Sequence, residues 1–100
     1  MTYLPLVKGL GSTADQCREL GIKVGDTIIG RQITNPTTEP PFWHEAKLKL
    51  LWIGETNAVW SVQTRIHLNP EWLEPYEDGA WTLDCRRWRK MTPNVGGNRQ

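Results

Sequence analysis

Two short stretches of this chain carry the residue types that hold partners. Arg86-Arg87-Trp88-Arg89-Lys90 sets four cations around one large ring. Cations neutralise phosphates and a ring stacks on an exposed base, so the run has the chemistry of a nucleic-acid contact. Its plainer reading is a solvated strand end that answers nearby acids. The second stretch is Asn69-Pro70-Glu71-Trp72-Leu73-Glu74-Pro75-Tyr76-Glu77-Asp78-Gly79. Prolines stiffen it, so a partner that captures it removes less chain entropy. Trp and Tyr dominate binding hot spots, which makes Trp72, Leu73 and Tyr76 contact candidates, with Pro70, Glu71 and Glu74 around them. A protein with a basic groove would suit. The plainer reading folds the loop over one end of the sheet, with Trp72 as a lid on the core.

Groups suited to catalysis or metal binding are sparse. His44 and His67, with Cys17 or Cys85, would outline a metal site, but no C-x-x-C or H-x-x-x-H spacing accompanies them. Cys17 falls mid-helix and Cys85 on the inner phase of a strand, so both read as small buried hydrophobes and not as thiolate nucleophiles. Gly9-Leu10-Gly11-Ser12 precedes a helix and would hold an anion, yet it lacks the strand and lysine of a phosphate loop. The acid pairs Glu71/Glu74 and Glu77/Asp78 lie in a loop with no sign of burial. The expectation is a protein without catalytic residues or cofactor.

Charge is nearly balanced but unevenly placed. Residues 51–85 hold one basic and six acidic side chains, whereas residues 86–100 hold five basic and none acidic. The two blocks either face charged partners or neutralise each other. One hundred residues with six tryptophans make one domain with mass enough for a core. The opening Met1-Thr2-Tyr3-Leu4-Pro5 lacks a charged-then-apolar signal, no apolar run approaches a membrane span, and two cysteines suit a reducing compartment, so a cytoplasmic location is expected.

The elements that position these groups follow from local pattern. Thr13 with Gln16 forms the expected capping box, Ala14, Cys17 and Leu20 share a face, and Gly21 ends the helix, giving a helix over 13–20. Beyond it the period changes to 2, and Thr27–Arg31 reads as a strand. Asn35 to Pro41, with three prolines, reads as a loop. Ala46, Leu48, Leu50 and Trp52 alternate with Glu45, Lys47, Lys49 and Leu51, and Ala58, Trp60, Val62 and Thr64 with Val59, Ser61, Gln63 and Arg65. With Gly54-Glu55-Thr56-Asn57 between them, the segments predict a hairpin of about 44–53 with 58–66. Residues 69–79 read as a loop, and Trp81, Leu83 and Cys85 as a last strand, with Trp88 rejoining the inner face if a bulge intervenes near Arg86-Arg87. Trp52, Trp60 and Trp81 are the expected core rings. The fold class is mainly β with one short helix: a small, strongly bent antiparallel sheet or SH3-like, partly open barrel over residues 1–91, with 92–100 as a tail.

Leu20-Gly21-Ile22-Lys23-Val24-Gly25-Asp26-Thr27 looks like the opening of small SH3-like barrels. Roughly residues 17–88 resemble small uncharacterised accessory proteins of tailed bacteriophages, through Leu20 to Gly30, Trp43-His44-Glu45-Ala46-Lys47-Leu48 and Trp81-Thr82-Leu83-Asp84-Cys85-Arg86. That resemblance implies a protein of the infected bacterial cytoplasm that binds a host protein complex, such as a nuclease or defence system, and inhibits or redirects it. The loop around Trp72 would make that contact. The alternative is a small nucleic-acid-binding barrel using Arg86, Arg87, Trp88, Arg89 and Lys90. Neither reading involves a membrane.

Overall fold

A computed structural model describes residues 3–5, 11–83 and 86–91. The helix, α1, spans Thr13–Leu20 as the pattern predicts. Its cap is Ser12, one residue earlier than expected. The Ser12 hydroxyl accepts from the Asp15 N–H and the Asp15 carboxylate accepts from the Ser12 N–H, both at 3.2 Å. Thr13 cannot serve as cap because it already has helical geometry, and its hydroxyl turns to the Trp81 carbonyl instead. Gly21 closes the helix with φ 71°, a left-handed position where a side chain would be strained.

Five antiparallel strands follow: β1 Thr27–Asn35, β2 Phe42–Ile53, β3 Ala58–Ile66, β4 Tyr76–Asp78 and β5 Trp88–Lys90. They form one open sheet in the order β4-β3-β2-β1-β5, so the class is mainly β and the two edge strands do not pair with each other. The hairpin of β2 and β3 is the centre of the sheet, and its turn falls at Gly54–Asn57 as the turn residues predict. The helix is pinned to that turn. Arg18 donates to the carbonyls of Gly54 at 2.6 Å and Glu55 at 3.3 Å, and the Ala14 N–H donates to the Thr56 carbonyl.

The helix packs against one face of the sheet, beside the turn between β2 and β3. Cys17 and Ile22 pack there on Ile28, Ala46, Leu48, Leu50, Ala58, Trp60 and Val62, with Leu83 and Trp88 completing the core. Trp60 is fully buried and Trp81 is half-buried against the same cluster, as expected of both. Trp52 is not a core residue. Leu50 pairs with Trp60 but Trp52 with Val59, so Leu51 is an extra residue that shifts the phase by one. The bulge turns Trp52 to the opposite face, where it is 54% exposed and lies against Gly54.

The last part of the chain also departs from its expected course. Residues 76–78, expected as loop, form β4 on the outer edge of β3. Residues 81–83, expected as a strand, join no ladder. The chain here must travel from one edge of the sheet to the other, because β4 and β5 occupy opposite edges. A segment crossing the core face cannot run in a strand ladder, so Trp81 and Leu83 contribute side chains to the core without backbone pairing. The return strand is Trp88–Lys90, which pairs with Ile28–Gly30 of β1. The N-terminal segment adds one bond at that edge, from the Leu4 N–H to the Trp88 carbonyl at 2.6 Å. Among the described residues no helix is long and apolar enough to cross a membrane. Gly9, Leu10, Cys85 and the expected tail 92–100 lie outside the described residues.

Candidate binding surfaces

Strand pairing sorts the side chains of the sheet into two sets. Ala46, Leu48 and Leu50 of β2 face the helix. Trp43, Glu45, Lys47 and Lys49 face the other way, together with Ile29 and Arg31 of β1, Arg65 of β3 and Arg89 of β5, which share their register positions. This second face is polar, but its centre is dry: the Glu45 side chain is only 4% exposed. An isolated carboxylate is costly to bury, so it must be paired. Glu45 Oε1 accepts from Arg65 Nε at 2.7 Å and Nη2 at 2.6 Å, and Oε2 lies 3.4 Å from Arg31 Nε. Both guanidiniums also stack on indoles. Arg31 sits 4.1 Å above the Trp43 ring, and Arg65 lies 4.2 Å from the Trp72 ring, which Lys47 Nζ approaches at 4.5 Å.

Trp72 is therefore neither a lid on the apolar core nor a free hot spot. It is half-buried against the cations of the second face. The rest of loop 69–79 runs along the outer edge of β3. The Leu73 N–H donates to the Thr64 carbonyl at 3.0 Å, the Gln63 amide donates to the Leu73 carbonyl, and Arg65 Nη1 donates to the Pro70 carbonyl. These bonds hold the backbone and leave the other candidate side chains outward. Pro70, Glu71, Leu73, Glu74 and Tyr76 are all exposed. Beside them, Leu68 at the end of the hairpin is more exposed still.

The basic run 86–90 does not form one patch. Trp88 is buried, and its indole N–H donates to the Leu83 carbonyl at 3.0 Å, so the ring expected to stack on a base is part of the core. Arg86 is buried beside it, donating to the Gly30 carbonyl and the Gln32 side chain. Lys90 Nζ lies 2.7 Å from the Gly21 carbonyl and 3.3 Å from the Asp26 carboxylate. Arg86 and Lys90 thus find their partners in backbone carbonyls, the Gln32 side chain and Asp26, not in the acidic loop. Arg87 and Arg89 point to the second face, where Arg87 approaches the Tyr3 ring at 5.8 Å. Arg89, Tyr3, Ile29, Arg31 and Glu45 line a cleft of about 280 Å³.

The remaining candidates are dispersed. His67 stacks on Phe42 at 4.3 Å and sits edge-on to Trp43, while His44 faces the opposite side of the sheet. Burial, with a smaller contribution from the Arg86 charge, holds His44 below the usual imidazole range. Burial pushes the Cys17 thiol up to about 11, which leaves it protonated and unreactive at neutral pH. No group of three or more His, Cys, Asp or Glu gathers among the described residues. Ser12 of the glycine-containing stretch is spent on capping the helix.

Residue types alone missed the face around Glu45. Its members come from the loop, from three strands of the sheet interior and from the β5 edge, and only the register brings them together. The alternation of Glu45, Lys47 and Lys49 was the visible part of that signal. Set against known protein families, curated proteins and solved structures, the chain matches none, so the functional reading rests on these surfaces.

Proposed function

We propose that the protein is a non-enzymatic binding module that docks on a protein partner through the outward side of loop 69–79. One observation carries the reading: Leu68, Leu73 and Tyr76 are 77%, 55% and 49% exposed on a backbone tied to β3. Large apolar groups held outward on an ordered loop lose little freedom when a partner covers them. Glu71 and Glu74, both exposed, flank Leu73 in the chain, which selects a partner with an apolar pocket rimmed by Lys or Arg. Trp72 serves as the anchor of the loop and Pro70, Glu71 and Glu74 as its rim. The resemblance to phage accessory proteins makes that partner a bacterial host complex, inhibited or redirected by the contact.

The test is affinity capture from bacterial lysate with the wild-type chain and the Leu73→Ala/Tyr76→Ala variant, each checked for native circular dichroism. A partner identified with the wild type should be lost with the variant and should bind the purified wild-type chain directly. Retention of the same partner by the folded variant would remove the loop from the interface.

A further inference from the structure

Among the described residues no helix lies on the second face of the sheet, and its composition is not that of an idle surface. Arg31, Lys47, Lys49, Arg65 and Arg89 share it. Across the five strands this face carries two acids: Glu45, which is buried and already engaged by two of these cations, and Glu77 at the β4 edge, which shares the register position of Ser61 and Lys49. A chain that is nearly neutral in total thus concentrates positive charge on one side of its sheet. We propose that this face binds single-stranded nucleic acid.

Three features favour that occupant. First, the cations are interleaved with flat rings. Stacking on Trp43 and Trp72 fixes the planes of Arg31 and Arg65; Arg65 is spent on Glu45 and the Pro70 carbonyl, whereas Arg31 meets Glu45 through Nε and offers its outer N–H edge to phosphate oxygens. Second, the cleft beside Glu45 is lined by the exposed ring of Tyr3, by Ile29 and by Arg31 and Arg89. An unpaired base would stack on the ring, and the phosphates joined to it would meet the arginines. Third, the face is a pleated surface and not a protruding element. A duplex hides its bases in grooves that a helix or ribbon must enter, whereas a single strand lays them open to such a sheet. An acidic peptide would match the charge and leave the exposed ring of Tyr3 unused. This surface differs from the run 86–90, because Trp88 and Arg86 belong to the core. It meets the docking loop at Trp72, which lies inward, and shares none of the outward side chains Leu68, Leu73 and Tyr76, so each proposal is tested by its own residues.

The experiment is fluorescence anisotropy with a labelled oligothymidine of about 12 nucleotides, inside the ~4–16 nucleotide range of small sheet-based binders. Binding is expected at low salt. The logarithm of the affinity should fall with that of salt at a slope of about −0.7 per phosphate neutralised, so roughly −2 to −3.5 for three to five contacts. Lys47→Glu/Lys49→Glu, which leaves the Glu45 pairs untouched, should weaken binding at least about tenfold and flatten the slope by about 1.4. Loss of the bases should also matter, with an abasic oligomer of equal length binding about tenfold less tightly. Absence of binding at low salt would overturn the proposal, as would unchanged affinity in the folded double variant. So would equal binding of abasic oligomer, polyglutamate or duplex, each of which identifies a surface that reads charge alone.

Discussion

Trp60 and Trp52 show how much one residue of phase decides. Both fall on the apolar phase of a strand in the sequence, yet Trp60 is fully buried and Trp52 is 54% exposed. Trp60→Ala should cost about 3–5 kcal/mol, the range for emptying a large core site, whereas Trp52→Ala should stay near 1 kcal/mol or below. Urea denaturation of the two variants measures the difference, and equal losses would contradict the bulge at Leu51. Glu45 makes a second case. Its carboxylate is buried, but Arg65 and Arg31 are partly open to water and can rehydrate if it is lost. Glu45→Gln should therefore destabilise by about 1–3 kcal/mol, less than the 3–5 kcal/mol typical of breaking a fully enclosed pair. The same denaturation assay checks it.

Among the elements, α1 and the central hairpin follow from signals a few residues apart. The helix bounds, its glycine stop, the two long strands and the turn between them were all legible, because capping, periodicity and turn chemistry act locally. The cap itself was displaced by one residue. Two hydroxyls adjoin at Ser12 and Thr13, and an acid follows three residues after Ser12, so the Ser12–Asp15 pair forms the box. Ser12→Ala should lower stability by about 1 kcal/mol, and Thr13→Ala by clearly less, as read from thermal unfolding. The terminal elements were not legible. Three-residue strands such as β4 and β5 carry almost no periodic signal, and their positions depend on which sheet edge is free.

At the scale of the whole molecule, the pH dependence of folding reports how the sheet encloses its ionisable groups. His44 titrates below its unfolded value of about 6.5 because it is partly buried near Arg86. Between the two values the unfolded chain binds a proton that the native chain refuses. Stability is therefore complete above about pH 6.5 and falls as pH drops toward the native value of His44. Asp15 is lowered chiefly by the Ser12 N–H and Asp26 chiefly by the Lys23 N–H, and their contribution is lost only in more acid solution, below about pH 3.9. Urea midpoints at about pH 7.5 and 5 should differ in the wild type, and His44→Gln should reduce that difference. Charge is organised on the same scale. The sequence shows an acidic block followed by a basic one and suggests that they meet. In the fold Arg86 and Lys90 turn to backbone carbonyls and Asp26, while the exposed acids and the shared cations occupy an edge and a face of the sheet. The chain alone determined a mainly β fold with one capped helix, a long hairpin and an exposed acidic loop, since each depends on neighbours in sequence. Tertiary structure alone decided which tryptophans are buried, where the chain crosses the core, and that Arg31, Glu45, Arg65 and Trp72 share one surface. Those outcomes depend on strand register across distant segments, and a single bulge or a choice of edge reassigns a side chain to the opposite face without altering local preference.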